Sequence, residues 1–86
     1  MRKKVLAANW KMNLLKNEAL DLYDSLNKNL LNFPGINIVL FPPSIYISEL
    51  QSKGSLSLGI QNIYFQNRGA FTGEIAAAQA KSIGCT

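Results

Sequence analysis

The sequence contains no histidine and only one cysteine, Cys85. A general acid or base built on histidine is therefore excluded for these residues, and so are the usual metal sites built from imidazole and thiolate ligands. One cysteine cannot form an internal disulfide, which is typical of proteins from a reducing compartment. From the residues we expect no metal, no cofactor and a cytoplasmic location.

Acidic residues and long apolar runs are also scarce. Nine basic residues stand against five acidic ones, for a formal net charge of +4. Arg2, Lys3 and Lys4 are consecutive, but no aromatic side chains interleave with them as in a nucleic-acid platform, so a solvated terminus is the favoured interpretation. The apolar run at residues 5–8 is too short for a signal peptide or a transmembrane span. We therefore expect neither nucleic acid nor membrane as a partner.

The composition is that of a globular chain, with 48% hydrophobic and 16% charged residues. A length of 86 residues allows one structural unit, near the size at which a single core is marginal.

Three strand and helix patterns follow one another. Alternation predicts a first strand over residues 5–13, with one face formed by Val5, Ala7, Asn9 and Lys11 and the other by Leu6, Ala8, Trp10 and Met12. A helix should follow with Asn17 as its N-cap and Glu18 in its first turn, ending before Pro34 and Gly35. Its apolar stripe is Ala19, Leu22, Tyr23, Leu26 and Leu30.

The second and third units are shorter. Residues 36–41 read as a strand buried on both faces, and Pro43 or Ser44 should open a second helix that ends with Gly54 at C′. The predicted buried residues of that helix are Ile45, Tyr46, Leu50 and, as an option, Ile47. The alternation of apolar and small residues over 56–60 predicts a third strand.

A third helix should begin at Thr72 as N-cap. Glu74 falls in its first turn, residues 76–80 form an alanine-rich body, and Gly84 is its C′ residue. Ile75 and Ile83 are its predicted buried side chains, and residues 85–86 should approach another strand. Strands that alternate with helices in this way predict an α/β fold with a parallel sheet.

Asn9 and Lys11 are the strongest candidates for chemistry. They end one face of the first predicted strand, and ligands bind at the carboxyl ends of the strands in parallel α/β sheets. An amide beside an ammonium group can bind an anion. The alternative is a solvated strand end without function, which the residues alone favour.

The loop at residues 62–71 is long for its position, which is typical of functional or disordered segments. Its large apolar side chains are Ile63, Tyr64, Phe65 and Phe71. They could form an exposed interaction arm or fold back on the local core.

Four short motifs carry a family resemblance. NWKMN at residues 9–13, FPPS at 41–44, GIQN at 59–62 and GAFTGE at 69–74 resemble, in order and spacing, the first three strands and the loop after strand 3 of triosephosphate isomerases. The resemblance implies about three βα units of a TIM (β/α)8 barrel, with residues 1–86 as the N-terminal segment of a single TIM-barrel domain. A complete barrel needs about 250 residues. One departure is Leu14, where the family usually has a small residue.

The resemblance also implies a function. Triosephosphate isomerases interconvert dihydroxyacetone phosphate and glyceraldehyde 3-phosphate in glycolysis and gluconeogenesis, and they are a standard example of proton transfer by a glutamate base and a neutral histidine. By resemblance, Asn9 and Lys11 bind this small phosphorylated substrate, and Lys11 acts electrostatically in catalysis. Gln61 and Asn62 could orient Lys11 or close the interior, and a structural hydrogen-bonding role is the alternative. Phe71, Thr72 and Gly73 would belong to a loop that forms a homodimer.

No histidine is present, and Glu18, Glu49 and Glu74 do not lie in a matching catalytic context. The 86 residues alone are therefore expected to be inactive. The alternative hypothesis is an inactive fragment that acts only as an assembly module, through open strand edges and the loop at residues 62–71.

Overall fold

A computed structural model of the protein describes residues 4–30 and 33–86. Its elements in chain order are β1 (Lys4–Asn9), α1 (Lys16–Leu30), β2 (Ile36–Phe41), a 3₁₀ turn (Ser44–Tyr46), α2 (Ile47–Gln51), β3 (Ser57–Leu58) and α3 (Ala77–Ser82). The strands form a parallel sheet in the order β1-β2-β3. The predicted α/β fold of successive βα units is confirmed.

The register brings the carboxyl ends of the strands to one edge. Asn9, the last residue of β1, lies opposite Phe41, the last residue of β2. Leu58 of β3 lies opposite Leu40. At the end of the chain the Thr86 N–H donates to the Leu58 carbonyl oxygen over 2.9 Å, so residue 86 returns alongside β3 as expected of the approach to another strand.

The core lies between the sheet and the helices. Its fully buried side chains include Tyr23 of α1, Leu40 of β2, Ile47 and Leu50 of α2, and Leu58 of β3. Burial raises the pKa of the Tyr23 hydroxyl. Burial likewise raises the pKa of the free Cys85 thiol, which favours its neutral form.

Three apolar side chains predicted to be buried are exposed instead: Leu22 at 38%, Ile83 at 38% and Ile45 at 80%. Ile45 lies in the 3₁₀ turn, and its neighbours Tyr46 and Ile47 pack on the core in its place. In α1 the buried residues are Ala19 and Tyr23 rather than Leu22, and Ile83 is the C-cap residue that follows α3.

The first strand is shorter than the predicted range 5–13. It ends at Asn9 because Lys11 has a positive φ of 57°, which interrupts the alternation of faces. Trp10 is still buried, but Met12, expected on the same face, is 95% exposed. As an outer strand, β1 also leaves Leu6 52% exposed.

Two predicted N-caps are wrong. α1 begins at Lys16, before Asn17, and the Glu18 carboxylate accepts a hydrogen bond from the Leu15 N–H over 2.9 Å. α3 begins five residues after Thr72, because the chain is still extended at Ala76, with ψ 152°. There the Gln79 side-chain oxygen accepts from the Ala76 N–H over 2.9 Å.

The remaining boundaries differ less. β3 has two residues rather than the predicted range 56–60. α2 has Ser52 as its C-cap, so Gly54 is not the C′ residue. Gly84, with φ 95°, follows the C-cap Ile83 and confirms the predicted end of α3.

Some predicted features lie outside the described residues, namely Arg2 and Lys3 of the basic run and residues 31–32 near the end of α1. Within the described ranges, no helix has the length and apolarity needed to cross a membrane. The same ranges contain no group of three or more histidine, cysteine or acidic residues that could hold a metal ion.

Candidate functional site

The tip of β1, residues 9–15, has an unusual backbone. The Asn9 side-chain oxygen accepts a hydrogen bond from the Lys11 N–H over 2.8 Å. Lys11 and Leu14 both have positive φ, 57° and 77°, and neither is glycine. Such conformations are uncommon for residues with a side chain, cost about 1–3 kcal/mol and cluster at functional sites. Contacts with neighbouring residues must therefore hold the backbone of this tip in its conformation.

Gln61 supplies the main link between the tip and the sheet. Its Nε2 donates to the Lys11 carbonyl oxygen over 2.9 Å and to the Phe41 carbonyl oxygen over 2.8 Å. The Trp10 N–H also donates to Phe41 O, over 3.0 Å. One carbonyl at the end of β2 thus anchors both the backbone of the tip and the side chain that holds it.

Two further side chains fix the rest of the tip. The Asn13 Nδ2 donates to Trp10 O over 2.8 Å, and the Tyr46 hydroxyl donates to Leu14 O over 3.1 Å. The second contact joins residues far apart in the chain and fixes the carbonyl of the second residue with positive φ. Sequence reasoning missed this role of Tyr46, since the pattern indicated only a buried ring.

Gly59 explains how β3 approaches this edge. A Cβ at Gly59 would overlap the Phe41 ring, and the Gly59 N–H donates to Leu40 O over 2.8 Å. Only glycine therefore lets the chain pass close enough to β2 for Gln61, two residues later, to reach the carbonyls of Phe41 and Lys11.

The polar groups that remain free at the tip define its chemistry. Within the described part of the chain, the Nδ2 group of Asn9 has no acceptor and the Lys11 ammonium forms no ion pair. Both residues are exposed. A positive charge and two amide N–H donors on residues joined by a hydrogen bond can bind an oxyanion or a polarised carbonyl oxygen.

The structure thus brings together Asn9, Lys11 and Gln61 of the sequence-predicted residues. Phe71, Thr72 and Gly73 lie in the separate loop after β3, and none of the hydrogen bonds described above comes from them. Asn62 takes no part in these bonds either.

The loop after β3 is organised by its own aromatic residues. The Tyr64 ring lies 4.7 Å from the Phe65 ring and 4.6 Å from the Phe71 ring, measured between centroids. The Tyr64 N–H donates to Ile75 O over 2.7 Å and closes the base of the loop. Phe65 is 82% exposed and Ile63 46% exposed. The aromatics therefore pack on one another, and part of the cluster faces outward.

Phe71, Thr72 and Gly73 form a turn in the last part of this loop, shortly before Ile75. The Glu74 N–H donates to Phe71 O over 3.1 Å, and Gly73 has a φ of 84°, which glycine adopts readily. Thr72 is exposed at this turn.

An apolar groove of about 320 Å³ lies beside the tip of β1. Its most exposed apolar side chains are Met12 at 95%, Leu15 at 74% and Ile45 at 80%. Exposed apolar side chains gathered in this way are typical of an interaction surface.

Comparison with known proteins agrees with the resemblance in the motifs. The triosephosphate isomerase family model matches residues 4–86. The chain is 38% identical over 86 residues to a triosephosphate isomerase of Dehalococcoides mccartyi (strain CBDB1), covering 96% of this chain and 34% of that protein. It is 39% identical over 87 residues to the triosephosphate isomerase of Alkaliphilus oremlandii, covering 98% and 35%.

A third relative, the triosephosphate isomerase of Legionella pneumophila (strain Lens), is 36% identical over 89 residues, covering 99% of this chain and 35% of that protein. The chain spans about a third of the length of the curated relatives it matches. With its parallel βα units and a family match over nearly all of its residues, the chain belongs to the triosephosphate isomerase family.

Proposed function

We propose that these residues supply the substrate-binding strand tip of a triosephosphate isomerase, which interconverts dihydroxyacetone phosphate and glyceraldehyde 3-phosphate. Asn9 and Lys11 bind the phosphorylated triose, and the Lys11 ammonium stabilises the negative charge that develops during proton transfer. The activity belongs to cytoplasmic glycolysis and gluconeogenesis and uses no cofactor. Residues 1–86 are then one segment of a single TIM-barrel domain.

One observation carries the proposal. The Asn9 side-chain oxygen accepts a hydrogen bond from the Lys11 N–H over 2.8 Å, which couples the two residues. The Asn9 amide nitrogen is then the group that donates to a ligand. The backbone conformation of Lys11, with φ 57°, is one that structures retain when a function requires it.

The reaction also needs groups that these residues do not offer. A proton must leave the carbon beside the carbonyl and return to its neighbour, which requires a base and an electrophile near the substrate. No histidine occurs in the sequence. Glu18 caps α1 and Glu49 pairs with Lys16 over 3.4 Å, so both carboxylates already have structural partners. We therefore propose that the 86 residues alone are inactive.

We further propose a homodimer formed through the loop after β3. Phe71, Thr72 and Gly73 of one subunit would enter the apolar groove of the other, beside its Asn9 and Lys11. The exposed side chains of Met12, Leu15 and Ile45 and the outward part of the aromatic cluster support this pairing, because each leaves apolar surface that association would bury.

A second candidate is an inactive assembly module. The outer position of β1 and the exposure of Val5 and Leu6, 64% and 52%, favour it, since an open strand edge pairs readily with another chain.

The intact mass and the isomerase activity of the protein from its native source test the proposal together. We expect a mass of about three times that of 86 residues, as a complete barrel requires, with conversion of dihydroxyacetone phosphate to glyceraldehyde 3-phosphate. A mass equal to that of 86 residues without activity would contradict the proposed function and favour the assembly module.

A further inference from the structure

We infer that Gln61 is a positioning residue, which imposes the left-handed backbone of Lys11 and thereby sets where its ammonium group lies. The inference rests on the proposed function, because it assigns to Gln61 a role that acts through Lys11. Gln61 itself need not touch the substrate.

The hydrogen bonds of Gln61 support this role. A carboxamide has two N–H donors, and both bonds of Nε2, at 2.9 Å to Lys11 O and 2.8 Å to Phe41 O, go to backbone carbonyls. One carbonyl belongs to the strained residue and the other to the end of β2. The side chain therefore fixes the Lys11 peptide against the sheet.

The two peptide groups that flank Lys11 are both held by hydrogen bonds. Asn9 accepts from the Lys11 N–H over 2.8 Å, and Gln61 donates to the Lys11 carbonyl oxygen. A φ of 57° is unfavourable for lysine without such contacts. Asn9 lies within the same tip, whereas Gln61 lies after β3 and also bonds to Phe41 at the end of β2, so that it ties Lys11 to the sheet.

The chemistry of the side chain explains why an amide is needed. Two carbonyl oxygens meet at this point, and each can only accept. A carboxylate there could donate to neither, and a shorter amide would not span both. Glutamine offers two donors, the required length and no charge beside Lys11.

The test substitutes Gln61→Met in the natively expressed protein, which keeps the side-chain length and removes both donors. We expect the backbone chemical shifts of Lys11 to move, and kcat/KM to fall by about 10- to 100-fold, as displacement of a catalytic group causes. Gln61→Asn, which keeps the polarity of the site, should give a smaller change of the same kind. Gln51→Met, at an exposed position on α2, is the matched control and should leave both quantities unchanged.

A double-mutant cycle separates positioning from a merely structural role. The probe is inorganic phosphate, with its dissociation constant measured for the parent, Gln61→Met, Lys11→Ala and the double variant. If Gln61 acts through Lys11, Gln61→Met weakens phosphate binding in the parent and has no further effect when Lys11 is absent.

Unchanged Lys11 chemical shifts, or an equal loss of phosphate affinity in both backgrounds, would overturn the inference. Failure of the proposed function would give a different result: the single variant Lys11→Ala would bind phosphate and turn over substrate like the parent.

Discussion

The loop after β1 and the loop after β3 leave the same edge of the sheet but are held in opposite ways. Hydrogen bonds from Gln61 and Tyr46 attach the first to other parts of the chain, at 2.9 and 3.1 Å. The second is closed by the bond from Tyr64 N–H to Ile75 O and filled by its own aromatic rings.

The difference separates two kinds of recognition. Polar side chains held at fixed positions suit a small charged ligand, because they lose little freedom when it binds. Aromatic side chains that are partly exposed suit a protein surface, which can cover them. We therefore propose that the tip of β1 binds the ligand and that the loop after β3 serves association, and three substitutions test this division.

The largest effect among them is expected from Thr72→Arg. If Thr72 enters the partner subunit, the substitution buries an unpaired charge, which should raise the dissociation constant of the dimer by about a hundredfold or more. If the proposed dimer places this loop beside the partner's Asn9 and Lys11, turnover should fall with it. Sedimentation velocity measures the association.

Ala78→Arg is the control for Thr72→Arg, because it places the same charge at an exposed position of α3. Its sedimentation should match that of the parent. If Thr72→Arg also sediments like the parent, the loop after β3 does not form the interface.

An intermediate effect is expected from Gly59→Ala. The new Cβ overlaps the Phe41 ring, and overpacking of this kind typically costs about 1–3 kcal/mol of the free energy of unfolding. Because Phe41 O accepts from both Trp10 and Gln61, the tip of β1 should also be disturbed. Urea denaturation and kcat/KM measure the two consequences.

A second substitution checks the cause of the Gly59→Ala effect. Phe41→Leu removes the ring and should recover part of the lost stability in the double variant. If Gly59→Ala lowers the free energy of unfolding as much in the Phe41→Leu background as in the parent, overlap with the Phe41 ring is not the cause of the loss.

The smallest effect is expected from Phe65→Ser. Since Phe65 is 82% exposed, its loss should change the free energy of unfolding by less than about 0.5 kcal/mol. Phe71→Ser provides the comparison, because Phe71 is 36% exposed and packs on Tyr64, and it should destabilise more. Both are compared in the Thr72→Arg background by denaturation, and equal losses would mean that the contact of Phe65 with Tyr64 stabilises the loop as much as that of Phe71.

The order of elements could be predicted from the sequence because hydrophobic periodicity and Pro–Gly signals act locally. The buried positions of Tyr23, Leu40 and Leu50 follow from the same patterns. The start of α3 could not be predicted, because the chain at Ile75 is kept extended by Tyr64, a contact between residues distant in the sequence. Local capping preference alone pointed to Thr72.

The candidate site shows the same limit. Asn9 and Lys11 stand out as polar residues at a strand end, and the motif around them indicated their importance. The left-handed conformation of Lys11 and the bond from Tyr46 to Leu14 depend on contacts between segments that are far apart in the sequence, which no local pattern can indicate.

The most direct test of the account is the kinetics of Lys11→Ala beside Lys53→Ala in the natively expressed protein. Lys53 is an exposed lysine after α2 and serves as a control for loss of one positive charge. We expect Lys11→Ala to lower kcat/KM by at least about 10²–10³, as removal of one electrostatic contact to the transition state does, with little change in stability. Lys53→Ala should retain the parent's activity. Near-normal turnover in Lys11→Ala would contradict the claim that the tip of β1 carries the substrate-binding chemistry.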